Sequence, residues 1–148
     1  MTRDGYVIST DRARLDRRAI HAFLRTAYWS PGVPFDVVDR AIERSLAFGL
    51  YAPDGAQAGF ARAVTDGAQF GYLADVFVLE PHRGRGLGKW LVATVLEHPD
   101  LARARRIVLA TADAHSLYER FGFVAADPAR VMELLRSPEE LWGPARRD

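Results

Sequence analysis

The chain contains no cysteine. Disulfides, thiolate zinc sites, iron–sulfur clusters and a cysteine nucleophile are therefore excluded, and with them any acyl-enzyme formed on sulfur. Lysine is almost as scarce. Lys89 is the single lysine among twenty cationic side chains, so nearly every cationic site is a planar guanidinium suited to bidentate contacts. Neither sign of charge is in excess, since 20 cations face 19 acids, and that balance gives no global pull toward nucleic acid or an anionic membrane. No stretch approaches the roughly 20 apolar residues that span a bilayer. Met1-Thr2-Arg3-Asp4-Gly5 leads into no apolar run of the kind a signal peptide needs. The four histidines, His21, His82, His98 and His115, show no metal-ligand spacing. These absences lead us to expect a cytoplasmic protein with no metal and no nucleic-acid or membrane partner.

What is present fits one globular unit. The 148 residues are 49% hydrophobic and 26% charged, a mix and a length suited to a single core, so residues 1–148 read as one domain. Tyr6-Val7-Ile8 is a β-prone start. Thr10 or Asp11 is placed to cap a helix carrying Leu15, Ala19, Phe23 and Ala27 at fourfold spacing. Ser30-Pro31-Gly32-Val33-Pro34 breaks it, and Phe35, Val38, Ile42 and Leu46 form the stripe of a second helix. Leu50 to Ala52, Gly59 to Thr65 and Phe70 to Leu79 read as an antiparallel meander turned by Pro53-Asp54-Gly55 and Asp66-Gly67. The last of these is so uniformly apolar that it is expected to be covered on both faces. A helix from Leu87 to His98 stops at Pro99. The chain continues with a strand from Arg106 to Thr111 and a short helix from Ala114 to Phe121, closed by Gly122. Final strands are expected at Phe123-Val124 and Val131 to Leu134. The fold class is α+β, a mixed and mostly antiparallel sheet of about six to seven strands flanked by about four helices. Ser137-Pro138 opens a further capped turn in which Trp142 packs on a neighbouring surface or, if exposed, suits a homodimer contact. Arg146-Arg147-Asp148 reads as a frayed tail.

The most informative segment joins the central strand to the next helix: Val76-Phe77-Val78-Leu79-Glu80-Pro81-His82-Arg83-Gly84-Arg85-Gly86-Leu87-Gly88-Lys89. Glycines at 84, 86 and 88 allow positive φ and let successive N–H groups converge, and the helix N-terminus adds unpaired donors and a positive dipole end. Arg83, Arg85 and Lys89 add full charges, which together make a pyrophosphate cradle. Glycines serving tight geometry alone would give the same sequence. A nucleotide P-loop needs Ser or Thr after the lysine, where Trp90 stands, and the dinucleotide fingerprint needs a different glycine spacing.

Arg83-x-x-Gly86-x-Gly88 after an apolar strand resembles the signature of the GNAT superfamily of acetyltransferases, Arg/Gln-x-x-Gly-x-Gly/Ala. A second segment, Ala114-His115-Ser116-Leu117-Tyr118-Glu119-Arg120-Phe121-Gly122-Phe123, is similar to that family's Ala-x-x-Leu-Tyr-x-x-x-Gly-Phe, in the right order and covering essentially the whole chain between them. The resemblance implies a sheet splayed at its central strand to admit acetyl-coenzyme A, with the backbone of Val76, Phe77 and Val78 holding the pantetheine and the loop from Arg83 through Gly84, Arg85, Gly86, Leu87 and Gly88 to Lys89 holding the diphosphate. It implies direct transfer of an acetyl group to a primary amine, with Tyr118 as the general acid toward the departing thiolate. Read from its helix alone, Tyr118 is equally a core residue. Thr111 stands where many relatives carry the Asn that contacts the pantetheine arm.

The base is harder to assign. Asp75 is the single acid in the strand from Phe70 to Leu79 and must be paired or face a cavity, so it is a candidate base or a structural partner of an arginine. Tyr72 on the same strand could anchor a water. In this family the loop between the first two helices lines the acceptor side, which places Tyr28 and Trp29 against a flat or cationic amine, or else on the first helix's hydrophobic face. His115 reads as a helix-surface residue or a substrate-side group. Three functions fit: a small-molecule amine acetyltransferase, a protein or peptide acetyltransferase needing an open groove, and a coenzyme A-sensing module without turnover.

Overall fold

The computed structural model describes residues 1–144, and the expected frayed tail at Arg146-Arg147-Asp148 lies outside the described residues. Strands β1 (Thr2–Arg3) and β2 (Tyr6–Ser9) form a hairpin whose two loop residues, Asp4 and Gly5, both have positive φ, 51° and 82°. Asp-Gly is the pair that such a two-residue turn demands. Helix α1 (Arg17–Leu24) starts later than expected. Asp11 caps only a short 3-10 turn at Arg12–Arg14, and the Asp16 side chain accepts from the Ala19 N–H to open α1. Two capping aspartates five residues apart divide what the apolar spacing reads as one helix, and Ala27 falls beyond its end.

Helix α2 (Phe35–Glu43) buries Val38 and Ile42, but Leu46, expected on its stripe, opens strand β3 (Leu46–Tyr51). Strands β4 (Gln57–Thr65) and β5 (Phe70–Val78) complete the meander, helix α3 (Leu87–Glu97) follows, and β6 (Arg106–Val108) returns parallel to β5. Helix α4 (His115–Glu119) is closed by Gly122 at φ 91°, whose N–H donates to the Glu119 carbonyl. Helix α5 (Pro138–Trp142) is capped by Ser137. The sheet order is β1-β2-β3-β4-β5-β6, all antiparallel except for β5–β6.

Two expectations need correction. Phe123-Val124 and Val131 to Leu134 do not form strands, and among the described residues the sheet has six strands with five α-helices. Val124 and Met132 are exposed to 87% and 95%, and neither segment takes a ladder partner among the described residues. The strand at β5 is also not covered on both faces, since Phe70 and Tyr72 are about 40% exposed. Uniform apolarity concealed a half-open strand.

The sheet separates two cores. Phe48, Leu50, Leu73, Leu91, Val92, Val95 and Leu101 pack on the α3 face. Ile20, Leu24, Val38, Ile42, Phe60 and Phe77 pack on the face of α1 and α2. Leu73 and Phe77 are four residues apart on one strand, which should put them on the same face. They belong to opposite cores because β5 carries an extra residue: Phe60 pairs with Phe77 but Arg62 pairs with Ala74. Such a bulge reverses the alternation for everything beyond it.

Gly59 lies opposite the far side of this bulge, where an added Cβ would sit 2.7 Å from the Phe77 carbonyl oxygen. Main chain cannot rotate away. Gly59→Ala is expected to lower stability by about 1–3 kcal/mol. Gly71→Ala, whose Cβ crowds the far end of the Leu101 side chain and meets Ile107 at an ordinary 3.6 Å, is expected to cost less. Urea unfolding of the two variants checks the order, and equal midpoints would refute it.

Candidate active site

The bulge residue is Asp75, with φ at 50°. Aspartate tolerates this left-handed conformation better than most side chains, and the turn it imposes re-aims the strand. Pairing between β5 and β6 runs through Phe70↔Arg106, Gly71↔Ile107 and Tyr72↔Val108 and goes no further. Beyond Tyr72 the two strands part, leaving the β5 backbone from Ala74 to Val78 without a strand neighbour on the side away from β4. A cleft of about 390 Å³ occupies the gap.

One wall of the cleft is sheet: Leu73, Ala74, Asp75 and Val76 from β5, with Leu109, Ala110 and Thr111 after β6. The facing wall is side chains from the helical layer, Tyr28, Trp29, Val37, Val38 and Trp142 among them. Asp75 holds the two together. Its Oδ1 accepts from Trp29 Nε1 at 2.9 Å, and its Oδ2 accepts from Arg62 Nε at 2.9 Å. Arg62 in turn donates through Nη1 to Ser45 Oγ. Arg62 and Asp75 are 18% and 14% exposed, so the pair sits in a low-dielectric setting where its geometry matters. Tyr28 spans the mouth, its hydroxyl accepting from the Ala112 N–H at 2.9 Å.

Tyr118 lies on the cleft wall and is 9% exposed, with its ring edge-on to Phe123. Burial pushes its hydroxyl above the ordinary tyrosine pKa, and the neighbouring Tyr28 and Asp113 push in the same direction. The group is therefore a protonated donor at neutral pH. Thr111 Oγ accepts from the Ala114 N–H, which fixes the turn into α4 and leaves the hydroxyl proton for another partner.

The glycine loop lies beyond the C-terminal end of β5. Gly84 and Gly86 have φ of 82° and 74°, and a Cβ built at either meets nothing within 4 Å. Gly86 is the N-cap of α3 with no side chain capping the helix, and the first N–H paired in it is that of Trp90, to the Gly86 carbonyl. The N–H groups at the start of α3 thus have no acceptor among the described residues. Arg83 Nε donates back to the Val78 carbonyl and braces the turn. Exposed Arg85 and Lys89 have no ion-pair partner among the described residues. Open approach, unpaired donors and spare cations fit a diphosphate.

Of the residues singled out from sequence, Tyr28, Trp29, Tyr72, Asp75, Val76, Thr111 and Tyr118 meet around the cleft. Phe77 turns its ring away to stack on Phe23 at 4.0 Å, and the Leu87 side chain is core, so either could offer a ligand only its backbone. Three polar or aromatic residues of the cleft were not assigned to it from sequence. Arg62 is the lone charge of β4, just as Asp75 is of β5, and two lone opposite charges in adjacent apolar strands were the available signal. Trp142, expected to pack on a neighbouring surface or, if exposed, to suit a homodimer contact, packs against the α1–α2 core; that it also lines the cleft was not foreseen. Asp113 is an exposed carboxylate on the same wall.

Residues 15–123 match the acetyltransferase (GNAT) family. A candidate acetyltransferase of Gibberella zeae is 34% identical over 137 residues, covering 79% of this chain and 77% of its own. The crystal structure of a GNAT-family protein from Xanthomonas campestris pv. campestris superposes with a TM-score of 0.86 at 46% identity, covering 90% of this chain and 94% of its own. A GNAT-family acetyltransferase from Elizabethkingia anophelis, solved with acetyl-coenzyme A bound, shares the fold at a TM-score of 0.62 and 16% identity, covering 84% of this chain and 80% of its own.

Removing Arg62 leaves a carboxylate stranded in the sheet. Arg62→Met is expected to lower stability by about 3–5 kcal/mol, and adding Asp75→Asn to it is expected to recover part of that loss. A double-mutant cycle in urea measures the coupling. Simple additivity would show that the two side chains do not depend on each other.

Proposed function

Because the chain belongs to the GNAT acetyltransferase family, we propose that it transfers an acetyl group from acetyl-coenzyme A to the primary amine of a small molecule by direct attack in a ternary complex. The observation that carries the proposal is a buried, protonated tyrosine placed on the wall of a cleft that opens where two parallel strands part.

Acetyl-coenzyme A supplies the acyl group already activated as a thioester. The start of α3 and the loop from Arg83 to Lys89 hold its diphosphate, for which the unpaired donors and open glycines described above are suited. The β5 backbone around Val76, beyond the last β5–β6 pair, supplies hydrogen bonds along the cleft, and a backbone N–H there polarises the thioester carbonyl. Tyr118 donates its proton to the thiolate as it leaves. A tyrosine and a thiolate differ in basicity by little enough for that transfer to be efficient.

Tyr28, Trp29, Tyr72 and Trp142 offer the acceptor aromatic surface, and Asp75 and Asp113 offer it negative charge. That combination suits an amine with a flat or apolar body that arrives as an ammonium. The ammonium must lose a proton before attack, and we assign its removal to Asp75. Two hydrogen bonds leave roughly two of a carboxylate's four acceptor positions open. The bridge from Tyr28 to Ala112 narrows the mouth, which supports a small acceptor over an extended peptide.

Thiol release from acetyl-coenzyme A against a panel of polyamines, aryl-alkyl amines, aminoglycosides, amino acids and peptides tests the assignment. Turnover with a small amine is expected. Turnover with peptides alone would overturn the acceptor class, and coenzyme A binding without any turnover would point to a sensor. Tyr118→Phe is expected to reduce kcat by about 10²–10⁴-fold while coenzyme A affinity by calorimetry is unchanged. Since the Tyr118 pKa is raised above 10.0 in the folded protein, the basic limb of the wild-type profile is expected above about pH 10. The same sign governs stability: the contribution from keeping Tyr118 protonated is intact below that value and lost as pH rises through the folded pKa. For Asp75→Asn, which can keep the left-handed backbone, the acidic limb of kcat/KM is expected to move; an unmoved limb would remove Asp75 from the base role.

A further inference from the structure

Charge along the cleft is unevenly settled. Its lining holds three charged side chains, Arg62, Asp75 and Asp113. Arg62 and Asp75 pair at 2.9 Å, whereas Asp113 has no ion-pair partner among the described residues. The lining is thus left with one uncompensated negative charge and no spare cation. An acceptor that carries a carboxylate or a phosphate beside its amine meets like charge there. One that carries a second positive group meets its counter-ion.

The turn that bears Asp113 is held from two sides. The Ala112 N–H donates to the Tyr28 hydroxyl at 2.9 Å, and the Ala114 N–H donates to Thr111 Oγ at 3.0 Å. Tyr28 and Trp29 meet edge-on with ring centroids 5.0 Å apart, and the Trp29 indole donates to Asp75. A short row of two rings therefore links the two carboxylates. Asp75 is bonded to one ring, and Asp113 adjoins the residue that anchors the other.

We propose that the acceptor is a diamine, acetylated at one end beside Asp75 and Tyr118 and held at the other, as an ammonium, by Asp113 and the exposed ring of Tyr28. The inference rests on the acetyl transfer proposed above and names the class of amine it takes. A monoamine must shed its charge before it attacks and then has nothing to offer Asp113. A diamine keeps its second charge throughout, so the ion pair and the cation–π contact with Tyr28 last from binding through the transition state. The near nitrogen loses one proton to Asp75 and forms the N–C bond as the C–S bond breaks. It then sheds a second proton, which balances the one Tyr118 gives the thiolate.

Matched acceptors test the proposal: diaminobutane against butylamine, and para-xylylenediamine against para-methylbenzylamine, at about pH 8, where the second ammonium is charged. The diamine of each pair is expected to show a kcat/KM about 5–30-fold higher, the combined effect of one screened ion pair and one cation–π contact. In Asp113→Asn that ratio is expected to fall close to one. The intrinsic basicities of the probes are the same for both proteins and cancel when the ratios are compared. Equal kcat/KM within each pair, or a ratio unchanged in Asp113→Asn, would overturn the proposal. Calorimetry of diaminobutane with the coenzyme A-loaded protein reads the same contact without turnover, and weaker binding by Asp113→Asn is expected. If no amine were acetylated, the acetyl-transfer reading would fall while this binding still decided the site. Identical affinities in the two proteins would refute it.

Discussion

One extra residue in β5 organises the molecule. Without the bulge at Asp75, Leu73 and Phe77 would share a face, the two cores could not both be filled from this strand, and β5 would continue alongside β6. With it, the strand turns over, supplies Val76 and Val78 to the α3 side and Phe77 and Leu79 to the other, and departs from β6 in doing so. The left-handed backbone at Asp75 costs free energy in isolation. The Arg62 guanidinium, the Trp29 indole and the packing of Phe77 on Phe23 hold it in place.

The bulge therefore couples packing to chemistry. The polar groups at its centre are buried where an unpaired charge would be costly, and each is satisfied by a partner from a different segment: β4 through Arg62, the segment after α1 through Trp29, and the turn before β3 through Ser45 beyond Arg62. Tyr118 reaches the same cleft from a five-residue helix that could not persist on its own. Its ring packs on Phe123, the Gly122 turn returns the Phe123 N–H to the Tyr118 carbonyl, and Thr111 fixes the entry. Burial serves that side chain twice, anchoring the helix and keeping the hydroxyl protonated.

Much of this was legible in the residues. The glycine loop, the order of elements and the segment around Tyr118 announce themselves through spacing, because glycine with positive φ and a short helix before Gly-Phe leave few alternatives. The isolation of Asp75 in an apolar strand marked it as unusual. Its bulge could not be read, because the strand is apolar on both sides of Asp75 and an alternation that never shows cannot be seen to reverse. The partnership with Arg62 depends on strand register, and Trp142 enters the cleft from about thirty residues beyond β6 along a path no local pattern specifies. The final strands were expected from β propensity alone, which identifies a segment willing to pair but says nothing about whether an edge in its own subunit lies within reach.

The two walls of the cleft differ in what they are made of. The sheet wall offers main chain and small or aliphatic side chains, and its shape is set by strand pairing and the bulge. The facing wall is built from the side chains of Tyr28, Trp29, Val37, Val38 and Trp142, on a loop and two separate helices. Substitutions at positions of the second wall outside the core, such as exposed Val37, can accumulate over generations without disturbing the first, so a lineage built on this scaffold is free to exchange one small molecule for another while the sheet keeps its shape. Trp29, tied to Asp75, and Tyr28, tied to the Ala112 N–H, stand on both sides of that division, and they are the positions where drift in preference and loss of fold would meet.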